Sequence, residues 1–201
     1  MIQDNTKKIT SCYFIIKNFE LDTYLENDEL NSNFMSSIVK KLKNDYCGKC
    51  YNNLGFIDEI IDIEKPTLEN NFISFETLNA YVYFKNLKTN LIVYRPQVND
   101  NIIVNVVKLT PKGLNCENGP LKLNITFNNI NTELFDIGNS NVYYKPTSQK
   151  IDIKSFLIVN LTKITIKQNL PFIYSECFLL DMITEESIIK KYFYNKEIII
   201  N

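Results

Sequence analysis

Apolar and polar residues alternate over residues 94–125, where short apolar runs are separated by turn residues. Strands are predicted at 102–109, from Leu114, and after Gly119-Pro120. The first of these is apolar on both faces near its start, as expected where a closed barrel is also covered on its outer side. Gly113 stands where a strand must coil sharply, and Asn99 is a residue that tolerates positive φ in a turn. This pattern predicts an OB-type antiparallel β-barrel, a fold whose second and third strands commonly carry an oligonucleotide.

Two further barrel strands are predicted beyond a turn-rich insertion at residues 128–146. They occupy residues 156–167 and 172–180, and a short terminal helix with Thr184 as its N-cap follows. The chain then reaches three consecutive isoleucines at 198–200. An apolar end of this kind is expected to pack on its own domain or on a partner.

The first part of the chain predicts a helix between strands. Strands are expected at residues 7–21, 56–63 and 73–87, and the helix at 28–45 with Asn27 or Asp28 as its N-cap. Apolar residues recur every four positions along that helix, at Leu30, Phe34, Ile38 and Leu42. We therefore predict that Phe34 and Ile38 are buried against a sheet.

Together these elements predict an α+β chain of two domains. Residues 1–88 would form a small sheet with one packed helix, because a single helix can cover one face of such a sheet. Residues 89–201 would form the OB-type barrel with an additional C-terminal tail.

Composition indicates in which cellular compartment the protein is expected. Of the 201 residues, 45% are apolar, which is enough to fill real cores. No run of 18 apolar residues predicts a membrane span, and the start MIQDNTKK lacks the apolar core of a signal peptide. Five cysteines, an odd number, favour a reducing compartment over a disulfide framework. An intracellular protein without a membrane partner is expected.

The residues predict no catalytic or metal site. Cys47 and Cys50 have the spacing of a zinc-ligand pair, but the chain has no histidine and no second matching pair. Two ordinary thiols beside a turn are the favoured interpretation, so no metal and no other cofactor is expected. Without a histidine base or a phosphate-binding glycine loop, and with scattered carboxylates, an enzyme is the least favoured class, and no small-molecule substrate is expected.

Several short segments carry a family resemblance through their order and spacing. They are Gly55-Phe56-Ile57, Val93-Tyr94-Arg95-Pro96, Lys112-Gly113-Leu114 followed by Gly119-Pro120, and Asn139-Ser140-Asn141. In this order the chain resembles the seventh-subunit family of eukaryotic RNA polymerase II, which has an archaeal counterpart and shorter relatives in cytoplasmic DNA viruses. Asn99 replaces a glycine of the family, and residues 183–201 have no counterpart in it. Residue usage skewed toward Asn, Ile and Lys indicates an AT-rich genome and favours a viral member.

The resemblance implies a non-catalytic stalk subunit of a DNA-directed RNA polymerase. In that family a tip loop of the N-terminal domain docks on the large polymerase subunits near the clamp, and the barrel stands where nascent RNA emerges. The tip would span residues 46–57, with Gly48, Lys49, Gly55, Phe56 and Ile57 as the partner-binding residues. The expected location is the host cytoplasm and the virion for a viral protein, or the nucleus for a cellular one.

Charge limits the expected RNA affinity. Residues 1–89 hold 10 Lys and 13 acidic residues, a net charge of −3, whereas residues 90–201 hold 12 Lys plus Arg and 10 acidic residues, a net charge of +2. Because phosphate contacts supply most sequence-independent affinity, such a barrel should bind single-stranded RNA weakly. The candidate RNA-binding residues are Lys112, Asn115, Lys122, Tyr143 and Tyr144. For any single tyrosine, packing inside the protein is the favoured role.

Two other functions remain open at this point. The chain could be a free-standing OB-fold RNA-binding protein resembling a translation factor, which should bind RNA tightly without a partner. It could also be a structural adaptor whose barrel has lost nucleic-acid contact, as its low basic content permits.

Overall fold

The computed structural model describes residues 9–30, 33–51, 54–66, 71–76, 79–138, 141–194 and 198–200. The described chain is mostly β, with few helices. Its strands are β1 (Tyr13–Glu26), β2 (Lys49–Tyr51), β3 (Gly55–Ile63), β4 (Asn71–Glu76), β5 (Asn79–Tyr94), β6 (Asn101–Thr110), β7 (Gly113–Asn118), β8 (Leu121–Thr126), β9 (Phe135–Gly138), β10 (Asn141–Tyr144), β11 (Gln149–Lys150), β12 (Phe156–Thr165), β13 (Ile173–Ile183) and β14 (Ile198–Ile200). Its helices are α1 (Phe34–Tyr46) and the short α2 (Glu186–Ile189), which continues as a π-helix over Lys190–Tyr194. Asn139 and Ser140 of the family resemblance lie outside the described residues.

The first part of the chain forms an open sheet, here called the first sheet. Its strand order is β14-β1-β5-β3-β2, and β4 pairs with the N-terminal half of β5. All pairs are antiparallel except β14 with β1. The strand predicted at 73–87 is thus two strands of a hairpin, and β1 begins and ends later than predicted. The proposed domain boundary at residue 88 falls inside β5, which stays in the first sheet as far as Tyr94.

Helix α1 covers the first sheet but starts later than predicted. Asn27 and Asp28 belong to a separate 3₁₀ turn, which is stabilised because the Glu26 N–H donates to the Glu29 carboxylate at 3.0 Å. Asn33 is the N-cap of α1, and its side chain makes no capping hydrogen bond. The cap prediction at Asn27 or Asp28 was therefore wrong, because the acidic residues stabilise a local turn instead of the helix.

Fewer residues of α1 are buried than the four-residue spacing predicted. Ile38 and Leu42 are fully buried, which confirms the prediction for Ile38. Phe34 is 36% exposed, so its predicted burial was wrong. Phe34 lies in the first turn of the helix and stacks on Phe84 with ring centroids 6.5 Å apart, leaving its other side in solvent.

The second part of the chain forms a closed five-stranded barrel. Its strand order is β6-β7-β8-β13-β12, and β12 pairs back with β6. Only the β8–β13 pair is parallel. This closed Greek-key arrangement is consistent with an OB-like fold. The barrel interior is filled by alternate apolar residues, such as Leu121, Leu123 and Ile125 of β8.

Two backbone conformations predicted from the sequence are present in the barrel. Asn99 has a φ of 73°, as expected for the turn before β6. Gly113 has a φ of 151°, and a Cβ at this position would overlap the carbonyl oxygen of Ile125 on β8. A side chain is excluded there by close backbone approach and by conformation.

The barrel is also covered on its outside, as the apolar start of β6 predicted. Ile103 faces outward yet is only 1% exposed, because the C-terminal helical segment packs over it. The N-cap of α2 is Glu185, so the prediction of Thr184 as the cap was wrong. A three-stranded sheet, β9 to β11, is inserted between β8 and β12.

The first sheet and the barrel share one apolar core. Cys12, Tyr13, Cys50 and Tyr94 belong to the same buried cluster as the barrel interior. Backbone hydrogen bonds of 2.8 Å cross the junction from the Thr10 N–H to the Asn101 carbonyl and from the Cys50 N–H to the Leu170 carbonyl. The two units therefore pack directly against each other.

Candidate nucleic-acid interface and docking hairpin

The barrel presents a polar outer surface where β8 meets its neighbours. Lys122 and Asn124 point outward, because the residues on either side of them in β8 face the interior. Across the β7–β8 pair, Lys122 is opposite Glu117 and Asn124 is opposite Asn115. We call this surface the outer barrel face and define it by Lys108, Asn115, Glu117, Lys122, Asn124, Lys163, Tyr174 and Glu176.

The parallel β8–β13 pair brings an aromatic residue onto this face. Tyr174 is the register partner of Lys122 and is 48% exposed. Its ring contacts Phe172 edge-on, with centroids 4.8 Å apart, which limits its motion while leaving it accessible. An exposed, supported ring beside lysine and asparagine side chains is a platform on which an unstacked base can pack.

Carboxylates on the same face reduce its positive charge. Lys122 is ion-paired with Glu117, and the Lys163 Nζ lies 2.9 Å from the Glu176 carboxylate. The hydrogen bond to Glu176 raises the pKa of Lys163, whose charge is retained at neutral pH. Among the residues that the structure describes, Lys108 has no ion-pair partner. The net charge is positive but small, which fits weak phosphate binding.

Three of the five sequence-predicted RNA residues lie on or beside this face. Asn115 and Lys122 are part of it, and Lys112 is exposed in the turn between β6 and β7. Tyr143 and Tyr144 lie in the inserted sheet instead, on β10. The Tyr144 hydroxyl donates to Asp181 at 2.8 Å. Burial, followed by this hydrogen bond, raises the pKa of Tyr144 to about 12. Its hydroxyl thus has an internal role, whereas Tyr143 is 37% exposed.

Sequence reasoning missed Lys108, Asn124, Lys163 and Tyr174. The alternation in β8 was a usable signal for Asn124, and the one in β13, with Ile173 and Ser175 buried, was a signal for Tyr174. What no local pattern gives is the parallel pairing of β13 with β8, which places Tyr174 beside Lys122.

The predicted docking hairpin is formed by β2 and β3. Gly48 is exposed with a φ of 76°, and its N–H donates to the Ile57 carbonyl at 2.9 Å. Lys49 is half-buried and its Nζ donates to the Asp45 carbonyl at 2.7 Å. These two residues lie at the accessible end of the hairpin.

The other three predicted docking residues lie inside the molecule. Ile57 is fully buried in the first sheet, and Phe56 is half-buried against the barrel core. Gly55 is buried with a φ of 115°, and a Cβ there would lie 2.6 Å from the Tyr94 carbonyl oxygen. Gly55 therefore has a structural role beside any docking role, because its backbone conformation and close packing exclude a side chain.

An open cleft of about 340 Å³ separates the hairpin from the barrel loop between β12 and β13. Its lining residues are Asp45, Tyr46, Lys49, Cys50, Tyr51, Gln168 and Asn169. The floor is fixed by two backbone hydrogen bonds of 2.8 Å, from Cys50 to Leu170 and from Asn169 to Cys50. The hairpin is thus supported by the barrel and not free to move away from it.

The two cysteines of this hairpin do not form a metal centre with other described residues. Cys50 is buried and its thiol donates to the Phe172 carbonyl at 3.4 Å. Burial raises the pKa of both Cys47 and Cys50, which favours the thiol over the thiolate that zinc requires. Within the described part of the chain, no three His, Cys, Asp or Glu side chains are grouped to hold a metal ion.

A comparison with known proteins gives one informative match. The chain is 30% identical over 115 residues to a protein of Acanthamoeba polyphaga mimivirus described as "Putative DNA-directed RNA polymerase subunit L376". The match covers 57% of this chain and 57% of that protein. It supports a relationship to RNA polymerase subunits of viral source. No protein-family model matches the chain.

Among the described helices, none has the length and apolar character needed to cross a bilayer.

Proposed function

We propose that this chain is a non-catalytic subunit of a viral DNA-directed RNA polymerase. The observation that carries the proposal is its similarity to the mimivirus protein over 115 residues. The closed OB-like barrel supports it, since such barrels offer an outer strand face to oligonucleotides. The host cytoplasm and the virion are the corresponding locations.

The finer proposal is a stalk position, with the first sheet docking on the large polymerase subunits. The accessible part of the hairpin, Gly48 and Lys49, together with the adjoining cleft, would provide the contact surface. Gly55, Phe56 and Ile57 would act indirectly, by holding the hairpin in place.

The experiment is purification of a tagged copy from infected cells, followed by identification of the proteins that accompany it. The two largest polymerase subunits are expected. Lys49→Glu should reduce their recovery, and Lys85→Glu, a charge reversal at an exposed position of the same sheet, should not. Recovery of the chain without polymerase subunits would contradict the proposal and favour a free-standing RNA-binding protein.

The outer barrel face is proposed to guide nascent RNA and not to bind it tightly. Its lysines are partly neutralised by Glu117 and Glu176, so the isolated protein should bind single-stranded RNA in about the micromolar range with a shallow salt dependence. Within a polymerase, weak contacts suffice because the transcript is held nearby at high effective concentration. Nanomolar binding by the isolated chain would contradict this role, and polymerase association without RNA crosslinks would favour a structural adaptor.

Crosslinking of nascent RNA to the assembled enzyme tests the face directly. Replacing Lys112 and Lys122 together with Ala should lower crosslinking while leaving assembly unchanged, since both side chains are on the surface. Replacing Lys85 and Lys88 of the first sheet is a matched control with the same change in charge. Equal crosslinking in the two double variants would place the RNA elsewhere on the molecule.

A further inference from the structure

Two ion pairs cross the outer barrel face between neighbouring strands. Glu117 of β7 is the register partner of Lys122 of β8 and is ion-paired with it. Glu176 of β13 is the register partner of Lys163 of β12, and 2.9 Å separates its carboxylate from the Lys163 Nζ. Each lysine thus has a carboxylate directly opposite it, the cross-strand position in which side chains lie closest.

Both ion pairs are open to solvent. The side chains of Lys163 and Glu176 are 65% and 64% exposed, and those of Lys122 and Glu117 are 45% and 35% exposed. Exposed ion pairs contribute little to stability, because water and salt screen the attraction. Since so little holds each pair together, another anion such as a phosphate group can displace the carboxylate from its lysine.

The parallel β8–β13 pair places the exposed ring of Tyr174 between the two ion pairs. Tyr174 is opposite Lys122, and Glu176, two residues further along β13, is opposite Asn124. Residues two apart on a strand are separated by about 6.6 Å, so all these side chains lie within reach of one short strand of RNA. The carboxylates oppose the binding of phosphates to the lysines, but they do not oppose the stacking of an uncharged base on the ring.

We propose that Glu117 and Glu176 are selectivity residues, which make the outer barrel face prefer RNA with unpaired bases to duplex RNA. The proposal rests on the proposed RNA-guiding role and adds which form of RNA the face excludes. A duplex keeps its bases stacked on one another, so it offers mainly phosphates and sugars, which must compete with the two carboxylates for the lysines. A single strand competes in the same way but also gains a stacking contact with Tyr174. Because a duplex has the higher charge density, its binding is weakened more by the carboxylates.

Binding of two RNA probes to the full chain tests the proposal. The probes are a labelled oligouridylate of about 12 nucleotides and an RNA duplex of the same length, both measured by fluorescence anisotropy over a salt series. Glu117→Gln combined with Glu176→Gln should increase the affinity for the oligouridylate about tenfold, because a carboxylate and a phosphate about 6 Å apart in water repel each other enough to change the affinity about threefold. The affinity for the duplex should increase by a larger factor. The slope of log affinity against log salt should steepen by about 1.4 for the single strand, since two lysines become free to contact phosphates.

Glu133→Gln combined with Glu185→Gln is the matched control, because it makes the same change in net charge. Both residues are exposed, and neither is ion-paired with a lysine in the described part of the chain. The control should change the affinity for either probe less than about twofold, because salt screens distant charges. Equal increases in the two double variants would overturn the proposal. Equal increases for the single strand and the duplex, or no measurable binding of either probe, would overturn it as well.

Tyr174→Ala separates stacking from charge. Added to the two glutamine substitutions, it should weaken binding of the oligouridylate and leave binding of the duplex unchanged. Equal weakening for both probes would overturn the proposal. These outcomes are distinct from those of the purification experiment: a chain that fails here but is recovered with the two largest polymerase subunits loses only the selectivity role, whereas a chain recovered without them contradicts the proposed function.

Discussion

The barrel and the first sheet differ in how the backbone groups at their strand edges are paired. Every barrel strand is paired on both sides, because β12 closes onto β6. The first sheet stays open: β2 and β14 stand at the two ends of its main strand order and are both short, and β4 forms a further edge beside β5. The backbone of β2 at Cys50 is satisfied by Asn169 and Leu170 of a barrel loop, and β14 belongs to the segment that leaves the barrel. At these two edges the open sheet is therefore completed by parts of the chain that adjoin the barrel.

This difference indicates an asymmetric dependence between the two units. An exposed sheet edge is prone to pair with other chains unless something covers it. The barrel has no free edge because its strands form a closed ring. In the first sheet, β2 is covered by a barrel loop and β1 by β14. We expect damage to the barrel to affect the whole chain, and damage to the helix-covered side of the first sheet to remain more local.

The largest effect is expected from Gly113→Ala. The added Cβ would overlap the Ile125 carbonyl, and the φ of 151° is unfavourable for alanine. The free energy of unfolding should fall by about 4 kcal/mol or more. Gly138→Ala is the matched control, since a Cβ there has open space and the expected change is below about 0.5 kcal/mol. Chemical denaturation measures both, and a first sheet that keeps its native exchange protection in Gly113→Ala would contradict the proposed dependence.

A somewhat smaller effect is expected from Ile38→Ala in helix α1. Ile38 is fully buried, so its truncation should cost about 3 kcal/mol. Phe34→Ala is the comparison within the same helix, and it should cost less because Phe34 is 36% exposed and packs mainly on Phe84. Hydrogen exchange in Ile38→Ala should accelerate in the first sheet more than in β7 and β8. Equal acceleration in both units would show that they unfold as one cooperative body.

Alkaline pH should lower the free energy of unfolding through Cys12, which lies in the core shared by the two units. Burial raises the pKa of the Cys12 thiol from 9.0 to about 12, and the negative charge of Asp100 contributes in the same direction. Because the pKa is higher in the folded state, the stabilisation is complete below pH 9 and is lost as the pH rises through about 12. For this group the slope is at most about 1.4 kcal/mol per pH unit.

Replacing the thiol should remove the contribution of Cys12 to the pH dependence of the unfolding free energy. In Cys12→Ala, the fall in unfolding free energy between pH 9 and pH 10 should be shallower than in the parent chain, after each is referenced to its own value at pH 7. Denaturation series at the three pH values supply the comparison. An unchanged slope would assign the alkaline sensitivity to other buried groups.

The smallest effect concerns the outer barrel face. Tyr174→Ala should weaken binding of single-stranded RNA about fivefold, equivalent to about 1 kcal/mol, because a stacking surface is lost. Tyr143→Ala removes a comparably exposed ring from the inserted sheet and should have less effect. Fluorescence anisotropy with a labelled oligonucleotide, at stated ionic strength, measures both. A greater loss of RNA affinity in Tyr143→Ala than in Tyr174→Ala would indicate that RNA binds at the inserted sheet instead.

Local patterns predicted the barrel strands more closely than the first sheet. β6 and β12 begin within one residue of the predicted positions, because turn residues and alternating burial mark their ends. The helix prediction failed at its start, since the acidic residues near Asp28 fit either a helix cap or a short turn. Because the helix was expected to begin earlier, the four-residue spacing that identified Ile38 also placed Phe34 inside the helix. In the structure Phe34 is the first helical residue.

The sequence by itself determined the approximate positions of the barrel strands, the need for glycine at 113 and a turn residue such as asparagine at 99, and that the outside of β6 must be covered. These properties depend on side-chain alternation and local backbone sterics, which short segments carry. Tertiary structure alone decided that β13 lies parallel to β8, placing Tyr174 beside Lys122. It also decided that Gly55 and Ile57 are enclosed, and that β14 returns to the edge of β1. The physical reason is that these contacts join residues distant in sequence, and their geometry is fixed only when the barrel closes and the two units pack together.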